Sequence, residues 1–408
     1  MNLKKIATVS LFIFVFSLLQ GEEKEDKTLL LKIGNKKLKD KTMEVTAGKI
    51  YSAHEGKPIP FVNMIKEMRK SRFIYIGESH NSLPMHDIQL EIINALYEQD
   101  KNLAIGLEMF PVSFQEVLNK WSMGILSLPE FIQESKWYIN WNYNYGFYKG
   151  IFKLAKDKKI PLYAINVPRT IITTIRKKGW NALSEEEKKI TPKPGLSHEE
   201  HRTLIRTIFE STELPHQMKG RGLEMAFEGL YRAQSAWDEV MAFHALRAKE
   251  REGRKVVVLA GSGHLLYNLG INRRAYQRSP LPFKTVVCLV VPEGEKSLRV
   301  ARSLADYVWG IVEEKMPAFP SVGLSFKKFD GLDNLVVESK PISGVAKNSN
   351  FLKGDVILSV DGMNFTDIND LRIYLAKFKW NDEVKFRLLR KTSQLDVLLK
   401  FQLPEEKR

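Results

Sequence analysis

The 408-residue sequence has a single cysteine, Cys288, which lies inside the apolar run TVVCLVV. One thiol forms no intramolecular disulfide, so the fold depends on its apolar core, for which a hydrophobic content of 44% is ample. Because no cysteine stands near the N-terminus, we expect no cysteine-anchored lipoprotein. The formal net charge is +15, but the Lys and Arg residues are interspersed with acidic ones. We therefore expect no nucleic-acid partner.

The N-terminal segment has the layout of a secretory signal. Lys4 and Lys5 precede a mainly apolar run over residues 6–19, and a polar stretch follows from Gly21. The run is too short for a comfortable membrane span, so a signal peptide over residues 1–21 is favoured over an uncleaved anchor. We expect an exported protein, periplasmic or associated with the outer membrane. The Lys-rich residues 22–49 show little apolar periodicity and predict a flexible lead-in.

Apolar runs alternate with amphipathic stretches between residues 50 and 312. The runs that read as strands cover residues 73–77, 103–110, 161–165, 256–261 and 285–291. Continuous apolar strands separated by helices predict an α/β domain whose mainly parallel sheet is flanked by helices. In such sheets ligands bind beyond the carboxyl ends of the strands.

Polar and titratable side chains follow four of these strands. In chain order they are Glu78 and His80, Glu108, Asn166 and Arg169, and His264. Two Gly-x-x-His motifs, GESH from Gly77 and GSGH from Gly261, occupy corresponding strand-to-helix turns, and glycine lets the backbone pass close to a ligand. We therefore expect the two histidines and two glutamates to share a cleft.

Carboxylates paired with imidazoles suit two kinds of chemistry. His80, His264 and Glu108 have the side chains of a divalent metal site, and Glu78 beside His80 has those of a base with its orienting partner. The alternatives are a helix cap in the first motif, where His86 lies on the first turn of the helix, and a buried structural hydrogen bond for Glu108.

Two further features carry candidate binding residues. Residues 136–150 hold seven aromatic side chains, a surface on which a flat cofactor could stack, although core packing is the alternative for any single ring. The segment SHEEH places His198 and His201 on one helical face. Its charged neighbours favour a solvated helix over a metal site.

Residues 318–403 form a separate unit with short strands and turns, and they resemble a bacterial PDZ domain. The resemblance rests on GDVILSVDG from Gly354 and on the order of elements around the helix DINDLRIYLAKF. It implies a peptide-binding loop that captures a free C-terminus as the peptide adds a strand to the sheet. The loop residues are Val322, Gly323, Leu324, Ser325 and Phe326.

The first domain resembles the ChaN-like haem-binding family, which is grouped with TIKI-type metalloproteases and erythromycin esterases. The motifs that carry the resemblance are FIYIGESHNSLPMHDIQLEII, LAIGLEMF, LYAINVPR, WDEVMAF and VVVLAGSGH. It implies extracytoplasmic haem binding, with haems held between two subunits of a homodimer and iron coordinated by a tyrosine. Tyr148 is the candidate ligand, and the candidate residues around the cofactor are His86, Arg169, Gly77 and Gly261.

Three functions therefore compete at this stage. The leading hypothesis is a haem-binding protein for haem or iron acquisition, whose PDZ domain recruits a protein tail. The wider superfamily instead implies a metal-dependent hydrolase, a peptidase or esterase, with Glu78, His80, Glu108 and His264 as catalytic residues. In the third, the PDZ domain provides the function and the first domain is an inactive scaffold.

Overall fold

The structure is a computed structural model that describes residues 26–212 and 220–402. The expected signal over residues 1–21 lies outside these ranges. Among the described residues, no helix is long and apolar enough to cross a membrane. The chain divides into two compact units. The first holds Met1–His80, Pro84–Gln115 and Ile160–Glu313, and the second holds Asn81–Leu83, Glu116–Lys159 and Glu314–Arg408.

The first unit is built around an eight-stranded sheet. Its strands in chain order are β2 (Ile50–Ser52), β3 (Lys57–Ile59), β4 (Phe73–Glu78), β5 (Leu103–Pro111), β6 (Leu162–Asn166), β7 (Lys255–Gly261), β8 (Phe283–Val291) and β10 (Tyr307–Val312), and they lie in the order β3-β2-β10-β8-β4-β7-β5-β6. The strands from β10 to β6 are parallel, and β2 and β3 are antiparallel.

Strands β4, β5 and β7 are buried along their whole length, as their continuous apolar runs predict for a sheet covered on both faces. The predicted fold class, a mainly parallel α/β sheet flanked by helices and followed by a small β-rich domain, is confirmed.

A two-stranded ribbon joins β1 (Thr42–Val45) to β9 (Leu298–Ala301) beside this sheet. The lead-in expected to be flexible is therefore ordered over residues 26–49. Met43 and Val45 are buried in one apolar cluster with Leu29 and Ile33. Strand β1 alternates exposed and buried residues. This period-2 pattern is hard to recognise in the sequence because the strand is short and lies in a lysine-rich stretch.

Helices of both units connect these strands. In chain order they are α1 (Phe61–Met68), α2 (Leu83–Gln99), α3 (Gln115–Ser122), α4 (Leu128–Glu134), α5 (Trp137–Asn140), α6 (Lys149–Asp157), α7 (Arg169–Lys178), α8 (Glu185–Ile190), α9 (Glu199–Glu210), α10 (Arg221–Glu252), α11 (Ile271–Arg278) and α12 (Ile368–Leu375). The long helix α10 packs on α7, α9, α11 and on strands β5, β6 and β7. It thereby brings its side chains to the middle of the sheet.

The second unit combines an antiparallel sheet with residues 116–159. The sheet runs β11 (Phe326–Lys327), β12 (Val336–Val337), β13 (Val356–Val360), β14 (Glu383–Arg390) and β15 (Ser393–Lys400), in that order, with β11 at one edge. Helix α12 packs on this sheet through Leu371 and Leu375. Residues 128–150, which we call the aromatic segment, belong to the same compact unit.

Candidate functional site

The carboxyl ends of β4, β7 and β5 meet because these three strands are neighbours in the sheet. Glu78 ends β4 opposite Gly261, which ends β7. Gly77 faces Ser262 so closely that a Cβ would stand 2.8 Å from the serine hydroxyl. The two Gly-x-x-His turns are thus adjacent, although about 180 residues separate them in sequence.

Glu78 orients the first histidine of the site. Its carboxylate is 3% exposed, and its Oε1 lies 2.8 Å from His80 Nδ1. Gln89 donates to Oε2 at 2.6 Å, and His86 Nδ1 lies 3.4 Å from the same oxygen. These contacts hold the Glu78 carboxylate in place. The carboxylate in turn orients the His80 ring with Nδ1 toward Glu78.

Glu108 and Asp238 flank the second histidine. The Gly261 backbone N–H donates to Glu108 Oε2 at 2.6 Å, and Glu108 Oε1 lies 3.5 Å from His264 Nε2. On the other side, His264 Nδ1 lies 2.6 Å from Asp238 Oδ1. An imidazole between two buried carboxylates is stabilised in its cationic form.

The charges of this trio depend on one another. Burial favours neutral His264, but the charges of Glu108 and Asp238 and their hydrogen bonds raise its pKa well above the usual range. Burial likewise favours protonated Asp238, but His264 and His201 lower the pKa of that carboxyl. The pKa of Glu108 is also lowered, because His264, His80 and the Gly261 N–H outweigh its burial. The raised pKa of His264 favours an imidazolium between the two carboxylates at neutral pH.

His201 closes this network, contrary to the expectation of a solvated helix. It is 0% exposed, and its Nε2 lies 3.1 Å from Asp238 Oδ2. Burial lowers the pKa of His201 despite the nearby Asp238, so His201 is neutral at neutral pH. His198, three residues earlier, is half-buried at the start of α9.

The Glu78–His80 pair and the Glu108–His264 pair meet at Gly261. A Cβ at this position would stand 3.0 Å from His80 Cε1 and 3.7 Å from Glu108 Oε2. The side chains of His80, His264 and Glu108 are 11%, 12% and 10% exposed, so solvent reaches all three. The structure therefore brings Glu78, His80, Glu108 and His264 into one cleft, and their chemical roles stay predictions.

Comparison with known proteins assigns the first domain to a family. Residues 64–275, just over half of the chain, match the model of the family described as haem-binding uptake, Tiki superfamily, ChaN. The chain belongs to this ChaN family. Residues 320–401 match the PDZ domain family, within the residues 318–403 delimited from the sequence.

Individual relatives are distant. A structure titled cofacial heme binding to ChaN of Campylobacter jejuni is 23% identical with a TM-score of 0.51, over 64% of this chain and 95% of that one. The chloroplastic protein Reticulata-related 5 of Arabidopsis thaliana is 25% identical over 263 residues, 60% of this chain but only 34% of that relative. An HtrA-type protease, an AlgW variant with a decapeptide, is 20% identical with a TM-score of 0.20, over 22% of this chain and 31% of that one.

Other candidate residues of the ChaN-type domain lie in different settings. His86 is 2% exposed and contacts Gln89 and Glu78, so it supports the first pair from inside the fold. Arg169 is exposed at the start of α7. Asn166, which precedes it, donates to the Glu108 carbonyl oxygen at 2.9 Å.

Tyr148 belongs to the second unit and is fully buried. Its ring centroid lies 5.4 Å from that of Trp137 and 6.3 Å from that of Trp141. Tyr138 and Tyr145 are also buried, and burial raises the pKa of both phenols. The rings of the aromatic segment thus pack against one another and against Trp121 and Phe152.

The described residues include no group of three or more His, Cys, Asp or Glu side chains with the geometry of a metal site. The divalent-metal alternative therefore has no support from the structure.

The PDZ loop has the backbone that its sequence requires. Gly323 has a φ of +75°, and a Cβ there would stand 1.8 Å from the Ser343 carbonyl oxygen. Val345 and Ala346 donate backbone hydrogen bonds to the carbonyls of Ser321 and Val322 at 2.9 and 3.0 Å. Strand β11 follows this loop at the edge of its sheet, where an added strand can pair.

Sequence reasoning missed Asp238 and wrongly placed His201 on a solvated helix. Both carried a signal in helical periodicity, because a polar residue at an apolar position of a helix is buried. His201 shares its face of α9 with Leu204, Ile205 and Ile208, all buried, and Asp238 lies among the buried residues of α10.

Proposed function

We propose that the protein acts outside the cytoplasm in haem or iron acquisition, with haem bound by its ChaN-type domain and a peptide C-terminus bound by its PDZ domain. Family membership carries the haem assignment. Export is supported by the signal-like residues 1–21. The net charge of +15 adds attraction for the anionic propionates of haem.

We assign the haem ligand to Tyr143 ahead of Tyr148. A phenolate must reach the iron, and Tyr143 is the tyrosine of the aromatic segment that is partly exposed. Its ring lies 5.6 Å from that of Trp141, so a flat group that approaches Tyr143 meets a second aromatic face. Tyr148 has no exposed surface in the same unit.

Haemin titration of the purified protein tests both assignments. Tyr143→Phe is expected to remove the absorption bands of tyrosinate-ligated haem, and Tyr148→Phe is the matched control that retains them. Loss of the bands in Tyr148→Phe alone would return the ligand to Tyr148. No haemin binding by the wild type would refute the haem function.

Two copies of the chain facing each other would support a cofacial pair of haems, the arrangement named for ChaN of Campylobacter jejuni. We propose a homodimer that forms on haem binding. Sedimentation with and without haemin tests it, and an unchanged monomer in both samples contradicts it.

Hydrolysis is a second candidate function because the cleft has an asymmetric pair of histidines. With Nδ1 held by Glu78, His80 presents Nε2 toward Gly261, 3.2 Å from the position of a Cβ. His80 is then the base that takes a proton from water, and cationic His264 stabilises negative charge on the substrate. Neither role requires a metal.

Hydrolysis of a panel of p-nitrophenyl esters and peptides tests this candidate in buffer that contains EDTA. Activity is expected to persist with EDTA and to fall by about 10²–10⁴-fold in His80→Ala, the range of general-base catalysis. Activity that EDTA abolishes and added Zn²⁺ restores would instead support the metal-dependent hydrolase. A wild type without activity on any substrate would remove both.

A further inference from the structure

Within the second unit, the aromatic segment lies along one flank of helix α12 of the PDZ domain. At the start of the helix, Gln133 Nε2 donates to Asp370 Oδ1 at 3.0 Å, and Asn369 Nδ2 donates to Gln133 Oε1 at 3.1 Å. One turn later, the Arg372 guanidinium donates to the Tyr138 carbonyl oxygen at 2.5 Å. These bonds fix α5 against the helix.

The contact continues to the end of the helix and to the peptide-binding loop. Asn144 Nδ2 donates to the Ala376 carbonyl oxygen at 3.0 Å. The Phe147 ring packs edge-on against Phe319 at 4.9 Å, and a Cβ on Gly146 would stand 2.2 Å from Phe319 Cζ. Phe319 precedes the loop over residues 322–326 by three residues, so the segment contacts both α12 and the chain that leads into the loop.

The segment contacts α12 at Arg372 and also at Asp370, which lies one turn before Tyr374. Of these two contacts, the one at Arg372 lies away from Tyr374, whose hydroxyl donates to Asp361 Oδ2 at 2.8 Å just beyond β13. Arg372, two residues earlier, lies about 200° around the helix from Tyr374. Lys328, next to β11, donates to the Thr366 carbonyl oxygen at 3.0 Å, which fixes β11 beside the start of α12.

We propose that a peptide tail and the aromatic segment compete for this flank of α12. A peptide that adds to the edge of β11 lies between that strand and α12, where Arg372 is already bound to the segment. The tail is expected to end in a free carboxylate, which the backbone N–H groups of the loop over residues 322–326 would bind. The partner is therefore a protein with an exposed C-terminus.

Competition links the PDZ domain to the haem ligand. The segment carries Tyr143, so displacement by a tail weakens haem binding, and bound haem weakens tail binding by the same factor. A partner that docks its tail would thereby promote haem release. This consequence rests on the proposed function, whereas the competition itself does not.

A covalent tether between the aromatic segment and α12 should make the segment a permanent competitor of the peptide. We would join Gln133→Cys and Asp370→Cys with a short bis-maleimide in the full chain, in which Cys288 is 2% exposed and protected from the reagent. The control joins Lys120→Cys and Glu134→Cys, an ion pair of the same unit that does not involve α12. The probe is a fluorescein-labelled decapeptide selected on the Gln133→Ala chain from a library of free C-termini, with its amidated form as the blank.

The tether to α12 is expected to weaken peptide binding at least tenfold, and the control tether is expected to leave it unchanged. Gln133→Ala, which loses two hydrogen bonds to the helix, is expected to bind the peptide about threefold or more tightly than wild type, with Glu134→Ala as its matched control. Equal affinities in all forms would overturn the proposal. Failure of every library peptide to bind any form would overturn it together with the peptide function.

Haemin affinity tests the linkage separately. Saturating peptide is expected to weaken haemin binding about 5- to 150-fold in the wild type and not in the chain tethered to α12. Unchanged haemin affinity would overturn the linkage. If haemin binds no form of the protein, the haem function fails while the tether comparison still decides the competition.

Discussion

The stability of the ChaN-type domain should depend on the charge of Asp238. This carboxylate is 0% exposed, and it lies 2.6 Å from His264 Nδ1 and 3.1 Å from His201 Nε2. Asp238→Asn keeps the volume and one acceptor oxygen but removes the charge that stabilises the imidazolium. Breaking a buried ion pair in this way destabilises a protein by about 3–5 kcal/mol. The matched control is Asp87→Asn, an exposed carboxylate on α2, for which we expect a change within about 0.5 kcal/mol.

The effect should vary with pH in a direction set by the two groups. The folded pKa of Asp238 is below its unfolded value of about 3.9, so its contribution is present above that pH and lost as the pH falls through the folded value. The folded pKa of His264 is above its unfolded value of about 6.5, so its contribution is full below that pH and lost as the pH rises through the folded value. Wild type and variant should therefore differ most between about pH 4 and 6.5.

Urea unfolding followed by circular dichroism at about pH 5, 7 and 9 measures this difference in the free energy of unfolding. A difference that is the same at all three pH values would refute the reasoning. Asp238 would then act as a neutral hydrogen-bond acceptor, and His264 would not be held as a cation.

Three other substitutions test separate parts of the structure. Gly261→Ala places a methyl group 3.0 Å from the His80 ring, so the ring should shift, and the nitrogen resonances of His80 in NMR spectra should move while overall stability changes little. Gly323→Ala meets the Ser343 carbonyl oxygen at 1.8 Å and requires a left-handed alanine, so peptide binding measured by fluorescence anisotropy should be lost. Met43→Ala should lower the free energy of unfolding by about 2–5 kcal/mol, whereas a mobile lead-in would give almost no change.

The central sheet and the position of its cleft were predictable from local sequence. Runs such as FIYIG and VVVLAG have the continuous apolar character of strands buried on both faces, and each is followed at once by the residues of the cleft. The rule that ligands bind at the carboxyl ends of parallel strands then brought Glu78, Glu108 and His264 together without knowledge of strand order.

The contribution of Asp238 and His201 to the site was not predictable in the same way. Asp238 and His201 reach His264 from helices α10 and α9, and their meeting depends on helix packing that no local pattern specifies. Glu and Arg neighbours of His201 indicated a solvated helix, because the apolar face of α9 is interrupted by charged residues in the linear sequence. The grouping of the aromatic segment with the PDZ domain likewise depends on side-chain bonds across more than 200 residues.

The same charge network makes a prediction about metal ions. An imidazolium has no lone pair for a metal, so an ion that binds His80, His264 and Glu108 must first displace the proton that two carboxylates hold on His264. The described residues include no group with the geometry of a metal site, so the prediction concerns any Zn²⁺ that is made to bind these side chains at high concentration. Its binding should release about one proton and weaken about tenfold for each unit of pH below neutrality. Calorimetry in two buffers of different ionisation enthalpy measures that proton. Tight binding at neutral pH without proton release would show instead that His264 is neutral and ready to ligate, and the charge assignment of the whole network would be wrong.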